Sequence, residues 1–354
     1  MQGFKPFWYD GWVSAFKRPS RVSTITSKAL RPQLTQVLDQ VGRGQRVVIA
    51  KYRSSVAAIV PYGDFVRLQQ LDQDQRHRAA TEAPMHVISV YNQAGGAGKT
   101  TVTRDLGYAL SGLGLRVLLI DLDPQASLTR WLGLLNDTED GQKSPALKLD
   151  RTVFPVLTDP DADLPEPLTA YGMDVVPANT KLSVGDSVLY DDQERLGYLR
   201  NSIRRLQGYD MVLIDVPPGR TAMAMAGVAA SDHLLIPVNV SKALDNIDNV
   251  AEVLKLARRF SPNIAPLALV PHSFMKNTRH HKDVLRGLTE DLASLAPTTT
   301  PIAHKDVLYD DATLYQQPVA VYAPRNSAVQ DYRTLASEVL GLLKVAVPAV
   351  GGRE

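Results

Sequence analysis

Cysteine is absent from the 354 residues of this chain, which excludes disulfides and thiolate metal sites outright. Long hydrophobic runs are missing as well: none approaches the roughly 18 to 20 apolar residues a membrane-spanning helix needs. The opening stretch, "MQGFKPFWYDGWVSAFKRPS", lacks the continuous apolar core and small-residue cleavage site of a secretory signal. A reducing cytoplasm is therefore the expected setting. Net charge is also scarce, at +2, too small to define a partner by itself. Aromatic residues make up only 6% of the chain. What remains, 44% hydrophobic and 21% charged, is ordinary for a globular protein, and the length suits one large domain plus a small one.

The little charge there is has a pattern. Basic residues outnumber acidic ones before about residue 80, whereas acidic residues gather in "NDTEDG" and "TDPDADLPEPL". A basic N-terminal segment on a near-neutral body points to an anionic partner for that segment, against the simpler reading of a solvated face. The aromatics are uneven too. Phe4, Phe7, Trp8, Tyr9, Trp12 and Phe16 crowd into an arm over residues 1–21. The arm reads first as rings packed on the body or on a second subunit, and second as a docking peptide. Asp10 and the short length argue against membrane insertion.

Residues 22–72 read as a compact α+β unit. An alternating strand runs into an amphipathic helix, with Leu30, Leu34, Val37, Leu38 and Val41 on one face and Gly42 and Gly44 at its end. "QRVVIAKY" and "SVAAIVPY" predict two strands about a short basic turn, and "GDFVRLQQLD" predicts a second helix. So small a core suggests pairing with a second copy. A polar linker follows over residues 73–84.

From residue 85 to 345 strands and helices alternate, the signature of a mostly parallel α/β sheet flanked by helices. Strands are predicted at "HVISVY", "RVLLIDL", "DVVPA", "MVLIDV", "HLLIPVNV" and "LALVP". Helices are predicted from Lys99, over 196–206, 244–260, 279–292 and 329–343. The acidic, Pro-rich stretch near 136–168 reads as a surface excursion, and residues 346–354 as a tail.

"YNQAGGAGKTT" follows a predicted strand and opens a predicted helix, the context a phosphate-binding loop requires. Gly95, Gly96, Ala97 and Gly98 let backbone N–H groups close on phosphate oxygens with little side chain in the way, and the helix N-terminus adds positive potential. Lys99 is placed to reach the outer phosphates, Thr100 to ligate magnesium, and Thr101 completes the loop. Asp121, Asp123 and Asp215 stand at strand ends, where parallel sheets hold their ligands. Asp215, with Thr100 and Asp121, is a candidate magnesium holder, partly through water. Asp123 is a candidate for orienting or deprotonating an attacking water.

The loop, "DLDPQAS", "LIDVPPG", "LLIPVNVS" and "VAVYAPRNSAVQDYRTLASEVL" occur in the order found in ParA-type DNA-partition ATPases, relatives of MinD and the nitrogenase iron protein. The resemblance covers residues 85–345. It implies a P-loop NTPase fold, ATP and Mg2+ as cofactors, an ATP-dependent sandwich dimer, weak hydrolysis and DNA binding without sequence preference. It further implies a nucleoid-associated protein, a ParB-like centromere-binding partner, Asp123 as the water-positioning carboxylate, and adenine near Pro237 and Pro324.

One departure stands out. The family's loop carries lysine where this chain has Ala94, and that lysine reaches the partner's phosphates across the dimer. Its loss removes a contact of a kind worth about 2 to 4 kcal/mol in the transition state, while Lys99 and the glycine cradle leave nucleotide binding intact. Arg220, directly after "PPG", is a candidate to supply the missing charge; the plainer reading is a surface arginine.

The 22–72 unit resembles the DNA-binding part of Phd/YefM-type antitoxins in element order and helix-to-hairpin spacing, without a recognisable toxin-neutralising tail. Lys28, Arg31, Lys51 and Arg53 are its candidate DNA contacts. In the ATPase part, "KNTRHHKDVLR" offers Lys276, Arg279, Lys282 and Arg286 near helical spacing as a second, non-specific DNA surface. His280 and His281 read as solvent or DNA contacts rather than metal ligands, since neighbouring helical side chains diverge. Two functional readings stand: a partition ATPase with a site-binding N-terminal domain, or an ATP-gated regulator or scaffold in which Ala94 has silenced turnover. A membrane anchor is disfavoured, because "LLKVAVPAVGGRE" has too little charge and too much Pro and Gly.

Overall fold

The computed structural model describes residues 22–51, 54–64, 84–138, 141–241 and 250–346. The aromatic arm, Arg53, most of the helix expected after Gly63, most of the linker and nearly all of the tail lie outside the described residues. The described chain falls into two compact units, one within the first 79 residues and one from residue 80 onward.

The first unit runs β1 (Val22–Thr26), α1 (Ser27–Leu30), a 3-10 turn (Arg31–Gln33), α2 (Leu34–Gly42), β2 (Arg46–Lys51) and β3 (Ser54–Ile59). Pro32 supplies no N–H to continue α1, so the helix is broken into two pieces there. β2 is central, pairing parallel with β1 and antiparallel with β3. Gly44, at φ +86°, turns the chain out of α2 into β2. Val37, Val41 and Val47 form the core with Ile25, Leu30 and Ile59 against them. Here the expected helical face is corrected: Leu34 and Leu38 are 45% and 53% exposed. A three-stranded sheet is too narrow to cover the whole apolar stripe of the helix.

The second unit is built on one seven-stranded sheet, in the order β10-β9-β4-β8-β5-β7-β6. Its elements are β4 (His86–Val90), α3 (Lys99–Gly112), β5 (Val117–Asp121), α4 (Ser127–Trp131), α5 (Phe154–Thr158), β6 (Leu168–Ala170), β7 (Met173–Val176), α6 (Val184–Asp191), α7 (Tyr198–Arg205), β8 (Met211–Asp215), α8 (Ala222–Ala230), β9 (His233–Asn239), α9 (Val250–Ala257), β10 (Ala265–His272), α10 (Arg279–Glu290), α11 (Asp306–Leu314), α12 (Val319–Tyr322) and α13 (Ser327–Leu343). All neighbours pair parallel except β6, a short antiparallel edge strand beside β7. β4, β5 and β8 are buried throughout or nearly so, and their apolar runs fill both faces of the sheet. One core layer lies under α8 and its neighbours, the other under α3 and α13.

The expected strands and the helices starting at Lys99 and Arg279 occur as read, and the fold class is as read. α8 did not show in the sequence because it is buried on every side, so its apolar residues carry no 3.6-residue period. β6 spans three residues, too few for an alternation to register.

Candidate functional site

β4 ends at Val90, and residues 91–98 fold back over the sheet's carboxyl edge before α3 begins at Lys99. Gly96 and Gly98 hold φ of +66° and +86°, a region that side-chain-bearing residues avoid. The loop is held from several directions. Asn92, buried, donates from Nδ2 to the Pro237 carbonyl at 2.7 Å and accepts from Ala94 N–H at 2.8 Å. Gly219 N–H donates to the Gln93 carbonyl at 2.9 Å, linking the loop to the turn that follows β8.

Around this loop lies a cavity of about 410 Å³, lined by residues 95–101 together with Asp123, Pro218, Asn239 and His272. Its size falls within the range of small-molecule sites, and it stands outside the carboxyl ends of parallel strands, where such folds bind ligands. Lys99 is buried and donates from Nζ to the carbonyls of Asn92 and Ala94. Burial lowers its pKa, while Asp215 and Asp123 raise it.

The three carboxylates differ in what they can do. Asp121 is fully buried, with Oδ2 accepting from the Thr129 hydroxyl at 2.6 Å and backbone N–H at 3.0 Å, and Oδ1 from Asp123 N–H at 3.1 Å. Burial pushes its carboxyl up to about 7 against those hydrogen bonds. With both oxygens engaged inside the protein, Asp121 organises the loop after β5 and does not line the cavity. Asp215 is equally buried; Oδ1 takes a long contact from the Thr103 hydroxyl at 3.4 Å, the Thr100 hydroxyl also acts on the carboxylate, and among the described residues Oδ2 has no hydrogen bond of normal geometry. Burial, and then the Asp121 carboxylate, raise its pKa well above the usual range. A buried carboxylate so weakly engaged by the protein, next to the Thr100 hydroxyl, fits a hydrated cation. Asp123 is half-buried, lines the cavity and accepts from Gln125 N–H at 2.9 Å.

Not every expected residue lines this cavity. Pro237 is buried within β9, and Pro324 is exposed in the turn before α13; neither lines the cavity. Pro237 sits two residues inside the strand, where helices cover both faces, whereas ligands meet strands beyond their ends. Beyond the glycine loop the cavity is instead lined by Ser273, Ile302, Tyr309, Tyr332 and Trp131. Ile302 arrives there because its N–H donates to Pro271 and its carbonyl accepts from Phe274 along the edge of β10. Arg220 does not line the cavity either: its guanidinium pairs with Glu252 on α9 at 2.8 Å.

The basic candidates are dispersed. Lys28 and Arg31 are exposed in the first unit; Lys51 closes β2, and its side chain is not among those described. Lys276, Arg279, Lys282 and Arg286 are exposed on or just before α10. Their charge is partly offset, since Asp283 lies 3.9 Å from Arg279 and 3.1 Å from Arg286. His280 is exposed as expected, but His281 is buried, taking Met275 N–H on Nδ1 at 3.0 Å and lying 3.3 Å from Ser241 Oγ at Nε2.

Sequence reasoning missed Asn92, Asn239 and His272. Their positions directly beside the loop or at strand ends were visible signals. It also missed Arg104 and Asp105, a buried pair 2.9 Å apart on α3. Arg104 also reaches Thr313 of α11, and Asp105 accepts from Val319 N–H of α12 at 2.8 Å.

Against known proteins, the family model described as an AAA domain matches residues 85–265. A "probable plasmid-partitioning protein ParA" of Thermus thermophilus is 32% identical over 263 residues, covering 72% of this chain and 78% of that protein. The "sporulation initiation inhibitor protein Soj" of Bacillus subtilis is 27% identical, covering 72% of this chain and 97% of Soj. Among solved structures, cobyrinic acid a,c-diamide synthase from Mycobacterium smegmatis, with bound ATP analog and magnesium, is similar at a TM-score of 0.59 and 27% identity, covering 74% of this chain and 96% of that one.

Proposed function

The chain belongs to the ParA-type P-loop ATPases, and from that premise we propose that it binds and slowly hydrolyses ATP to drive partition of a plasmid or chromosome in the bacterial cytoplasm. The observation that carries this reading is the convergence of Lys99, Thr100 and Asp123 on one cavity, with the buried, weakly engaged Asp215 carboxylate close by.

Each residue then has a task. The N–H groups of the glycine loop and Lys99 hold the polyphosphate. Thr100 and Asp215 hold Mg2+, which when bound neutralises charge on the outer phosphates. Asp121 keeps the loop after β5 in place through Thr129, so that Asp123 faces the cavity and can orient a water for attack. Arg220 supplies charge only by leaving Glu252, which makes it a conditional substitute for the lysine absent at Ala94.

DNA is the proposed partner on two surfaces: α10 through Arg279, Lys282 and Arg286, with Lys276 alongside, and the antitoxin-like unit through Lys28, Arg31, Lys51 and Arg53. The exposed Leu34 and Leu38 support pairing of that unit with a second copy. Nucleotide-dependent dimerisation and a ParB-like partner complete the reading.

Phosphate release with and without duplex DNA, with Lys99→Ala as the blank, tests it. Turnover above the blank and raised by DNA supports the partition ATPase. Tight ATP binding with no turnover would support the second reading, an ATP-held regulator or scaffold in which Arg220 stays with Glu252 and residue 94 supplies no charge.

A further inference from the structure

We infer that His272 is a positioning residue for the phosphate loop, holding the Ala97 carbonyl against its imidazole so that the Gly98 N–H is turned away from the ring and toward the phosphate cradle. The inference rests on the nucleotide reading above and adds a residue to it.

Three observations converge on this side chain. His272 ends β10, and its Nε2 hydrogen-bonds the Ala97 carbonyl. A carbonyl can only accept, so Nε2 carries the proton. Its ring also lies flush on the loop: a Cβ built at Gly98 would stand 2.5 Å from Nε2 and 2.7 Å from Cε1. Ser273, next in the chain, adopts φ +59°, a left-handed conformation that is uncommon for serine and marks a constrained position. In that conformation its Oγ lies 3.1 Å from His272 Nδ1. With Nε2 protonated, neutral imidazole presents Nδ1 as an acceptor, so the serine hydroxyl donates to it and fixes the tautomer.

The consequence follows from peptide geometry. In a trans peptide the C=O and the next N–H point in opposite directions. Tying the Ala97 oxygen to His272 therefore turns the Gly98 N–H the other way. Asn239, at the end of β9, acts alike but more weakly, its Nδ2 lying 3.4 Å from the Gly96 carbonyl. The carboxyl ends of two neighbouring strands thus hold successive peptides of the loop. This also gives Gly98 a reason beyond its φ, because any side chain there collides with the imidazole.

Isothermal titration of the full-length protein with Mg·ATP and Mg·GTP tests the assignment, using His272→Leu and His272→Gln. Leucine fills the space but donates nothing, whereas the glutamine amide can reach a carbonyl. His272→Leu is expected to weaken both nucleotides by about tenfold, with the ATP-to-GTP ratio unchanged. His272→Gln is expected to recover most of the loss. Equal affinity of wild type and His272→Leu would overturn the assignment while leaving the ATP reading in place. A changed ATP-to-GTP ratio, or equal losses in both variants, would also overturn it, since the ring would then be reading the base or merely filling space. A wild-type chain that binds neither nucleotide would overturn the ATP reading and this inference with it.

Discussion

The Lys99 ammonium lies 2.9 Å from the carbonyl oxygen of Asn92, so the lysine that should meet phosphate is held by the loop it belongs to. A second bond to the Ala94 carbonyl completes the arrangement. Residue 94 therefore serves this lysine through its backbone, and its methyl side chain adds no charge to the loop.

Ala94→Lys follows from that geometry. The backbone carbonyl that holds Lys99 is unaltered, so nucleotide affinity should stay within about threefold. DNA-stimulated phosphate release should rise by about ten- to a hundredfold, because one charged donor is added where the transition state develops charge. An unchanged rate would show that the missing charge is already supplied, and a fall in turnover on Arg220→Ala in the wild-type background, where residue 94 is alanine, would identify the supplier.

The Arg104–Asp105 pair anchors α3 to α11 and α12 and is almost wholly withdrawn from water. Arg104→Ala leaves Asp105 buried without its cation. It should destabilise the fold by about 3 to 5 kcal/mol in urea titration. Arg104→Met keeps the side-chain volume but also removes the charge, so combining it with Asp105→Asn should recover part of the loss. Equal stability of Arg104→Ala and wild type would refute a structural role for the pair.

On α10, Asp283 draws on both Arg279 and Arg286. Asp283→Asn should release them and strengthen binding to random-sequence duplex DNA by several-fold. Arg286→Ala should weaken it and lower the slope of log K against log salt by about one. Fluorescence anisotropy over a salt series reads both. Identical curves for all three proteins would remove α10 from the DNA surface.

His281 makes stability depend on pH. Burial, with His280 and His304 adding to it, holds its pKa below the ordinary 6.5, and burial does the same to His86 and His233. The folded state thus binds fewer protons than the unfolded state. The stabilisation is complete above the unfolded pKa and declines as pH falls through and below 6.5. Protonation would also place an N–H on Nδ1 against the Met275 N–H it now accepts. Tm should fall between about pH 7.5 and about pH 5.5, and fall less in His281→Asn, whose amide oxygen can still accept. An equal fall in both proteins would exclude His281 as a contributor.

The sequence by itself determined the fold class, the phosphate loop and the strand ends that carry Asp121, Asp123 and Asp215. Those features are local: glycine spacing, a lysine at a helix start, and apolar runs ending in a carboxylate are all written within about ten residues. It also carried the substitution at Ala94 in plain view. Only the tertiary structure decided which carboxylate stays weakly engaged, because Thr129 and the Asp123 backbone claim both oxygens of Asp121 while, among the described residues, Asp215 Oδ2 has no hydrogen bond of normal geometry. It brought Ile302, Tyr309 and Tyr332 from separate elements to one place beside the glycine loop. It turned Arg220 toward Glu252, buried His281 and set His272 against Gly98. Contacts between residues more than a hundred positions apart depend on how strands are ordered in the sheet, and no local pattern encodes that order.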